Sequence, residues 1–188
     1  FSRELPGIEM GHFNPFFPDA KTIAMLNDAA YELDVTEGPL KFDLMHTRKG
    51  WIILECATRL SGGFDHTYTC PLATGKDLTG FMLDYSLGQL PLFSPDSKDY
   101  FAKITTTKGG HACCYAPIFK PGKITSWIIP QEAKKEAAHI FTNDKGGKIR
   151  PLESNADRAL FIICEGESRK EALEKCLRVA EMARPLYE

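Results

Sequence analysis

The sequence lacks the features that define several large functional classes. None of its apolar runs approaches the roughly 18 consecutive residues that a membrane-spanning helix needs. Its six cysteines form no Cys-x-x-Cys pair and no cluster with zinc-site spacing. A net charge of −2 gives no basic surface for nucleic acid. We therefore expect no membrane, zinc or nucleic-acid partner, and we expect reduced cysteines in a cytoplasmic protein.

The chain also lacks an initiator methionine, because it begins at Phe1. Both a processed protein and an excised fragment would begin in this way, and we favour the fragment. Its 188 residues, 43% of them hydrophobic, suffice for one core or for two small ones. Pro91 and Pro95 mark a change of pattern, which divides the chain into residues 1–90 and 91–188.

The apolar pattern predicts an α+β fold. The first 18 residues are rich in Gly, Pro and Phe and are predicted to form an ordered loop. One helix follows Asp19 as its N-cap, a second follows Thr74, and the last begins at a capping box of Ser168 and Glu171. Strands are predicted at 40–47, 51–57, 101–107, 112–119, 124–129, 139–142 and 159–164.

The most informative segment is a predicted hairpin. If Arg48-Lys49-Gly50 is its loop, Thr47 pairs with Trp51. Each step away from the loop moves one residue back on the first strand and one residue forward on the second, which places Asp43 directly opposite Glu55. Side chains of directly opposite residues point to the same face, so these two carboxylates lie on the same side of the hairpin.

Two carboxylates at that spacing repel each other unless a cation or a proton lies between them. Lys41 shares their face, and Arg59 joins it if the strand continues that far. Mg²⁺ suits such a pair, since it is often held by one or two carboxylates together with substrate phosphates. Arg59 offers a planar fork for an anion, and Gly62-Gly63 lets a ligand approach the backbone closely.

A plain surface network explains the same residues equally well, with Lys41 and Arg59 neutralising the two acids. Histidines give a weaker signal. His66 follows the glycine pair, where a general base or a substrate contact is conceivable. We interpret His66, like His12 and His46, as a solvated loop histidine.

The order of features around the hairpin resembles the ATP-grasp superfamily, which includes L-amino-acid ligases, biotin carboxylases and carbamoyl-phosphate synthetases. These features are a strand with an internal acid, a short turn, a second strand ending in E-x-x-x-R and an A-T-G-x-D-L helix start. The R-x-S-G-G run is similar to the amino-acid-ligase branch. The resemblance implies that residues 1–90 are the C-terminal part of an ATP-grasp domain with antiparallel strands. Residues 91–188 would then form a small β-rich subdomain closed by the last helix.

The resemblance also implies roles for the hairpin residues. Asp43 and Glu55 would hold Mg²⁺, or Mn²⁺ as the alternative, on ATP. Arg59 would be the catalytic contact to the transferred phosphoryl group. The nucleotide would be contacted by Lys41, Gly62 and Gly63.

The implied reaction is ATP-dependent joining of a small carboxylate substrate to an amine or a similar nucleophile through an acyl phosphate. Two departures from the family pattern qualify this expectation. Ala57 stands where the family most often has a metal-binding Asn, and the upstream lysine strand and Gly-rich flap are missing. We therefore expect either an upstream part of the same enzyme or a complementary subunit to complete the site. The alternative is a non-catalytic binding or assembly module that retains the ligase fold.

Overall fold

The computed structural model describes residues 7–89, 110–144 and 146–188. Within these ranges the helices are α1 Ala20–Glu32, α2 Cys70–Thr74, α3 Leu78–Ser86, α4 Gln131–Glu136 and α5 Arg169–Met182. The strands are β1 Gly11–Asn14, β2 Lys41–Thr47, β3 Gly50–Ala57, β4 His111–Tyr115, β5 Gly122–Ile128, β6 His139–Thr142, β7 Lys148–Ile149, β8 Leu160–Gly166 and β9 Arg184–Tyr187. A π-helical turn spans Asp65–Thr69, and a 3-10 turn spans Asn155–Asp157. The predicted α+β class with antiparallel strands is confirmed. None of the described helices is both long and apolar enough to cross a membrane.

A four-stranded antiparallel sheet in the order β1-β4-β8-β6 organises the described part of the chain. Two smaller sheets accompany it, the hairpin β2-β3 and the three-stranded β7-β5-β9. Strand β8 is buried from Leu160 to Cys164, which is typical of an inner strand covered on both faces. Helix α5 covers one face of the sheet with Ala172, Cys176 and Val179, all fully buried.

The second face of the sheet is covered by the segment that follows the hairpin. Phe161 and Ile163 of β8 pack there against Phe64 and Tyr68, which lie at the start of the π-helical turn and within it. Leu72 of α2 adds to the same cluster. Because β8 is covered from both sides, the chain directly after the hairpin is fixed to the central sheet.

The final helix has the predicted N-cap. The Ser168 hydroxyl accepts a hydrogen bond from the Glu171 backbone N–H at 3.1 Å. The returning bond differs from the predicted capping box, since the Glu171 carboxylate accepts from the N–H of Glu167 at 2.9 Å, one residue before the cap. Both bonds satisfy donors at the helix start that have no partner inside the helix.

Two predicted boundaries are wrong. Residues 11–14 form β1 rather than a loop, because their backbone pairs with β4, where His12 lies opposite Cys114. The second predicted helix starts later than predicted, because its expected N-cap Thr74 is the last residue of α2, a helix in the predicted loop that ends at the left-handed Gly75 (φ +72°). Helix α3 is capped by Asp77, whose carboxylate accepts from the Gly80 N–H at 2.8 Å.

The predicted strand at 101–107 lies outside the described residues. So does the predicted division near residue 91, which stays a prediction. The short helix α4 and the last strand β9 had no clear sequence signal. Strand β9 pairs with β5, where Trp127 lies opposite Pro185.

Buried apolar side chains are distributed unevenly along the chain. Among the described residues up to 89, only Ile8 and Ala73 are buried apolar residues, while the sheet and α5 contain a dense core. Helix α1 buries only Thr22, although its predicted apolar face includes Ile23. Ile52 of the hairpin is 44% exposed. The hairpin and α1 therefore contribute little to the core of the described chain.

This asymmetry predicts different costs for the same truncation. Ile162→Ala, at a fully buried position in β8, should lower the free energy of unfolding by about 2–5 kcal/mol. Ile52→Ala in the hairpin should cost less than about 1 kcal/mol, because little apolar surface leaves water there on folding. Urea unfolding of both variants measures the difference. Equal losses would contradict the assignment of the core to the central sheet.

Candidate functional site: the acidic hairpin and the loop after it

The two predicted carboxylates lie opposite each other, since Asp43 on β2 pairs with Glu55 on β3. The predicted route to this pairing is wrong. Thr47 pairs with Gly50, not with Trp51, so the loop contains only Arg48 and Lys49. Gly50 is left-handed (φ +109°), a conformation that glycine adopts without the steric cost a side chain would add.

A β-bulge corrects the register. The pairing shifts between Asp43 and Leu44, so Leu54 is an extra residue on β3 with no partner of its own. In an uninterrupted ladder that starts from this two-residue loop, Leu54 would lie opposite Asp43, and Glu55 would point to the other face. The bulge thus brings the second carboxylate to the face of the first.

Lys41 already neutralises one of the two acids. Its Nζ lies 2.6 Å from Asp43 Oδ1 and 2.7 Å from Oδ2. Glu55 makes no ion pair with any residue that the structure describes, and it is exposed. The surface-network interpretation therefore accounts for Asp43 and leaves Glu55 as an unneutralised carboxylate beside it.

Arg59 is placed differently from the prediction. Strand β3 ends at Ala57, and the Arg59 N–H bonds back to the Ala57 carbonyl at 2.9 Å, so strand alternation does not carry Arg59 to the acid face. Its Nη1 donates to the Leu60 carbonyl at 3.1 Å, and it makes no ion pair with the described acids. Arg59 borders a cleft of about 460 Å³. The other lining residues are Leu33, Val35, Leu40, Cys56, Ala57 and Thr58.

The loop after Arg59 turns through two successive left-handed residues, Gly63 (φ +65°) and Phe64 (φ +71°). Two of its carbonyl groups accept hydrogen bonds. The Ser61 carbonyl accepts from His66 Nδ1, and the Gly62 carbonyl accepts from the Asp65 backbone N–H at 3.1 Å. The N–H groups of Gly62 and Gly63 find no acceptor among the residues described here. Both glycines are exposed, so these N–H groups are open to an anion.

His66 is not the solvated histidine that the sequence suggested. It is half-buried, and its Nδ1 is committed to the Ser61 carbonyl. This bond occupies one ring nitrogen and ties the π-helical turn to the loop. His46, in contrast, is exposed as expected, where its ring packs on Trp51 with centroids 4.6 Å apart.

A group of four polar side chains, which we call the Thr69 cluster, joins β1 to the π-helical turn. Thr69 is fully buried, and its Oγ1 lies 2.8 Å from His12 Nε2 and 2.8 Å from Asn14 Nδ2. Asn14 also donates to Asp65 Oδ1, and His12 Nε2 lies 3.8 Å from the same carboxylate oxygen. This cluster was not predicted from the sequence, because the two β1 residues lie more than 50 positions before the two residues of the turn.

Burial lowers the pKa of His12 below the ordinary histidine value of 6.5. The carboxylates of Asp65 and Glu9 act in the opposite direction, and Arg158 adds to the lowering. The folded chain therefore favours the neutral imidazole, which contradicts the expectation of a solvated His12.

The acid pair fits a magnesium ion that shares its coordination with water and phosphate oxygens. Within residues 7–89, 110–144 and 146–188, no group of three or more His, Cys, Asp or Glu gathers to enclose a metal. Mg²⁺ usually keeps several waters and is often bound through one or two carboxylates plus substrate phosphates, so Asp43 and Glu55 are the described residues that would hold it. Lys41 would have to share Asp43 with the ion.

Comparison with solved structures places this arrangement in a known fold. The structure superposes on an L-amino acid ligase from Bacillus licheniformis with a TM-score of 0.74 and 19% identity, over 96% of this chain. A phosphoribosylglycinamide synthetase from Anaerococcus prevotii gives a TM-score of 0.78 at 12% identity, over 96% of this chain. The chain has the fold of the C-terminal part of an ATP-grasp ligase.

The match covers only part of these neighbours. This chain spans 46% of the length of each of those two proteins and 49% of a phosphoribosylaminoimidazole carboxylase ATPase subunit from Aquifex aeolicus, where the TM-score is 0.62 and the identity is 18%. No protein-family model matches the sequence, and no curated protein matches it at a significant level. At these identities the comparison establishes the fold.

The lowered pKa of His12 predicts an acid-sensitive stability. As the pH falls below about 6.5, the unfolded chain binds a proton at this position before the folded chain does, so the free energy of unfolding should fall with it. Above about pH 7 the effect should vanish. His12→Gln should flatten the loss between about pH 7 and 5, as measured by urea midpoints.

His46→Gln is the matched control, since His46 is exposed and lies outside the Thr69 cluster. It should keep the pH dependence of the wild type. Parallel curves for the wild type and His12→Gln would contradict the assignment.

Proposed function

We propose that this chain supplies the magnesium-phosphate half of the nucleotide site of an ATP-dependent ligase that joins a carboxylate to an amine or a similar nucleophile. The observation that carries the proposal is the pairing of Asp43 with Glu55 on an exposed hairpin face, within an ATP-grasp fold. The fold by itself does not determine function. The pairing supports the proposal, because two carboxylates on one face are ligands of the kind that Mg²⁺ takes.

Asp43 and Glu55 would hold Mg²⁺, with Mn²⁺ as the alternative. When bound, the ion would neutralise charge on the β- and γ-phosphates. Lys41, which contacts Asp43, would exchange part of that contact for a phosphate oxygen. The unpaired N–H groups of Gly62 and Gly63 would receive an anion at the other end of the site.

Arg59 would carry the catalytic role. In the proposed reaction, a substrate carboxylate oxygen attacks the γ-phosphorus and ADP leaves. The nucleophile then attacks the acyl carbon, phosphate leaves, and a proton is released. The guanidinium of Arg59, with no carboxylate partner among the described residues, is available to stabilise the charge on the transferring group.

A second polypeptide segment would complete the site. Met45 and Ile52 pair across the hairpin on the face of Asp43, and they are 50% and 44% exposed. Apolar side chains around an acid pair suit a protein surface that closes over a bound nucleotide. We propose that this surface belongs to an upstream part of the same enzyme or to a complementary subunit, in the cytoplasm, where ATP is available and the six free cysteines would stay reduced.

The test is calorimetric titration of the chain with ATP at millimolar Mg²⁺. We expect saturable binding that requires Mg²⁺ and weakens at least about tenfold in Glu55→Gln, since one hydrogen-bonded charge contributes roughly 1.5–3 kcal/mol. Glu181→Gln is the control, because it makes the same chemical change at an exposed position on α5.

Equal binding by Glu55→Gln and the wild type would contradict the metal-site assignment. A wild-type chain that binds no nucleotide would favour the alternative function of an assembly module that retains the ligase fold. The same titration, repeated with the completing segment added, would separate that alternative from a half-site that needs its partner.

A further inference from the structure

We infer that Thr69 is a positioning residue, whose hydroxyl fixes the loop of residues 59–64 against the central sheet through His12 and Asn14. The ordering of the loop is a property of this chain alone. Its consequence for nucleotide binding rests on the proposed function.

The loop is held at a strained point. Phe64 is left-handed, which costs an aromatic residue roughly 1–2 kcal/mol, so the surrounding structure has to hold it there. Its ring stacks on Phe141 with centroids 4.8 Å apart and meets the edge of Phe161 at 4.9 Å. Apolar packing therefore fixes one side of the turn.

The Thr69 cluster fixes the other side. The Phe64 carbonyl accepts from the backbone N–H groups of Tyr68 and Thr69, both at 3.1 Å, which closes the π-helical turn directly onto the end of the loop. The Thr69 hydroxyl then connects this turn to β1 through His12 and Asn14, each at 2.8 Å. Since β1 is paired with β4, the loop is connected to the central sheet in two independent ways.

The hydroxyl group suits this role because it both donates and accepts hydrogen bonds. It accepts from Asn14 Nδ2, and its single proton is shared between His12 Nε2 and the Asp65 oxygens, which lie 3.3 and 3.4 Å away. Thr69 is fully buried, so no water replaces these bonds when the hydroxyl is removed.

The connection continues to Arg59. His66 and Asp65 of the turn hold the carbonyls of Ser61 and Gly62, two and three residues beyond Arg59. With its carbonyls engaged inward, the loop keeps the N–H groups of Gly62 and Gly63 directed away from the turn. A looser turn would let Arg59 and these N–H groups vary in position, which weakens an anion site without removing any of its groups.

The test is amide hydrogen exchange by NMR on the 188-residue chain. Thr69→Val keeps the shape and removes the hydroxyl. We expect the amides of Asp65, Tyr68 and Thr69 to exchange up to about tenfold faster, as the loss of roughly one hydrogen bond implies, while the amides of β8 change less. Thr69→Ser should restore the wild-type rates.

Thr74→Val is the matched control, since Thr74 is also buried but its hydroxyl donates to the Cys70 carbonyl of its own helix α2 at 2.7 Å. It should leave the Asp65 and Tyr68 amides unchanged. If Thr69→Val does not fold, Asn14→Ala removes the hydrogen bond between Asn14 and Thr69 from the β1 side. The same amides should then exchange faster.

Unchanged exchange at Asp65 and Tyr68, or an equal acceleration throughout β8, would overturn the inference. The calorimetric titration with magnesium and ATP tests separately whether the ordered loop matters for nucleotide binding. Weaker binding by Thr69→Val than by Thr74→Val would show that the fixed loop serves the nucleotide. If the wild-type chain binds no nucleotide even with the completing segment added, the proposed function fails, and the exchange rates still decide the role of Thr69.

Discussion

The burial of β8 from both sides is the constraint on which the rest of the structure depends. Helix α5 covers one face through Cys176 and Val179, and Phe64 and Tyr68 cover the other. Each fully buried aliphatic side chain contributes roughly 1.5–3 kcal/mol, so this layer contains most of the apolar stabilisation in the described chain. The loop after the hairpin is ordered because it is part of that layer.

Packing does not explain the arrangement of the acid pair in the hairpin. Its acid pair contributes no packing, and like charges across a strand pair oppose folding by themselves. A two-residue loop and a one-residue bulge nevertheless act together to place Asp43 and Glu55 opposite each other. Such an arrangement is difficult to explain as a stabilising feature, and Lys41 compensates only one of the two charges. The magnesium ion that we propose would offset this cost.

How much the sequence predicts differs between the two regions. Periodicity and capping residues located α1, the hairpin strands and α5, because those signals lie within a few residues of one another. The pairing of Asp43 with Glu55 was predicted from the wrong loop, since alternation cannot reveal a bulge that cancels a one-residue error. Strand β1 and the Thr69 cluster were missed because both depend on contacts between residues far apart in sequence. Arg59 was placed by extending β3 two residues too far.

Asn14 and Asp65 touch each other, although some fifty residues separate them. The chain between them contains α1 and both hairpin strands, and it returns to the sheet where Phe64 packs on Phe161. In chain topology, residues 15–63 are therefore an insertion with closed ends. Exchanging this insertion would leave the strand order of the central sheet unchanged, so one scaffold can accept different inserted segments, provided that their two ends meet at the same contact.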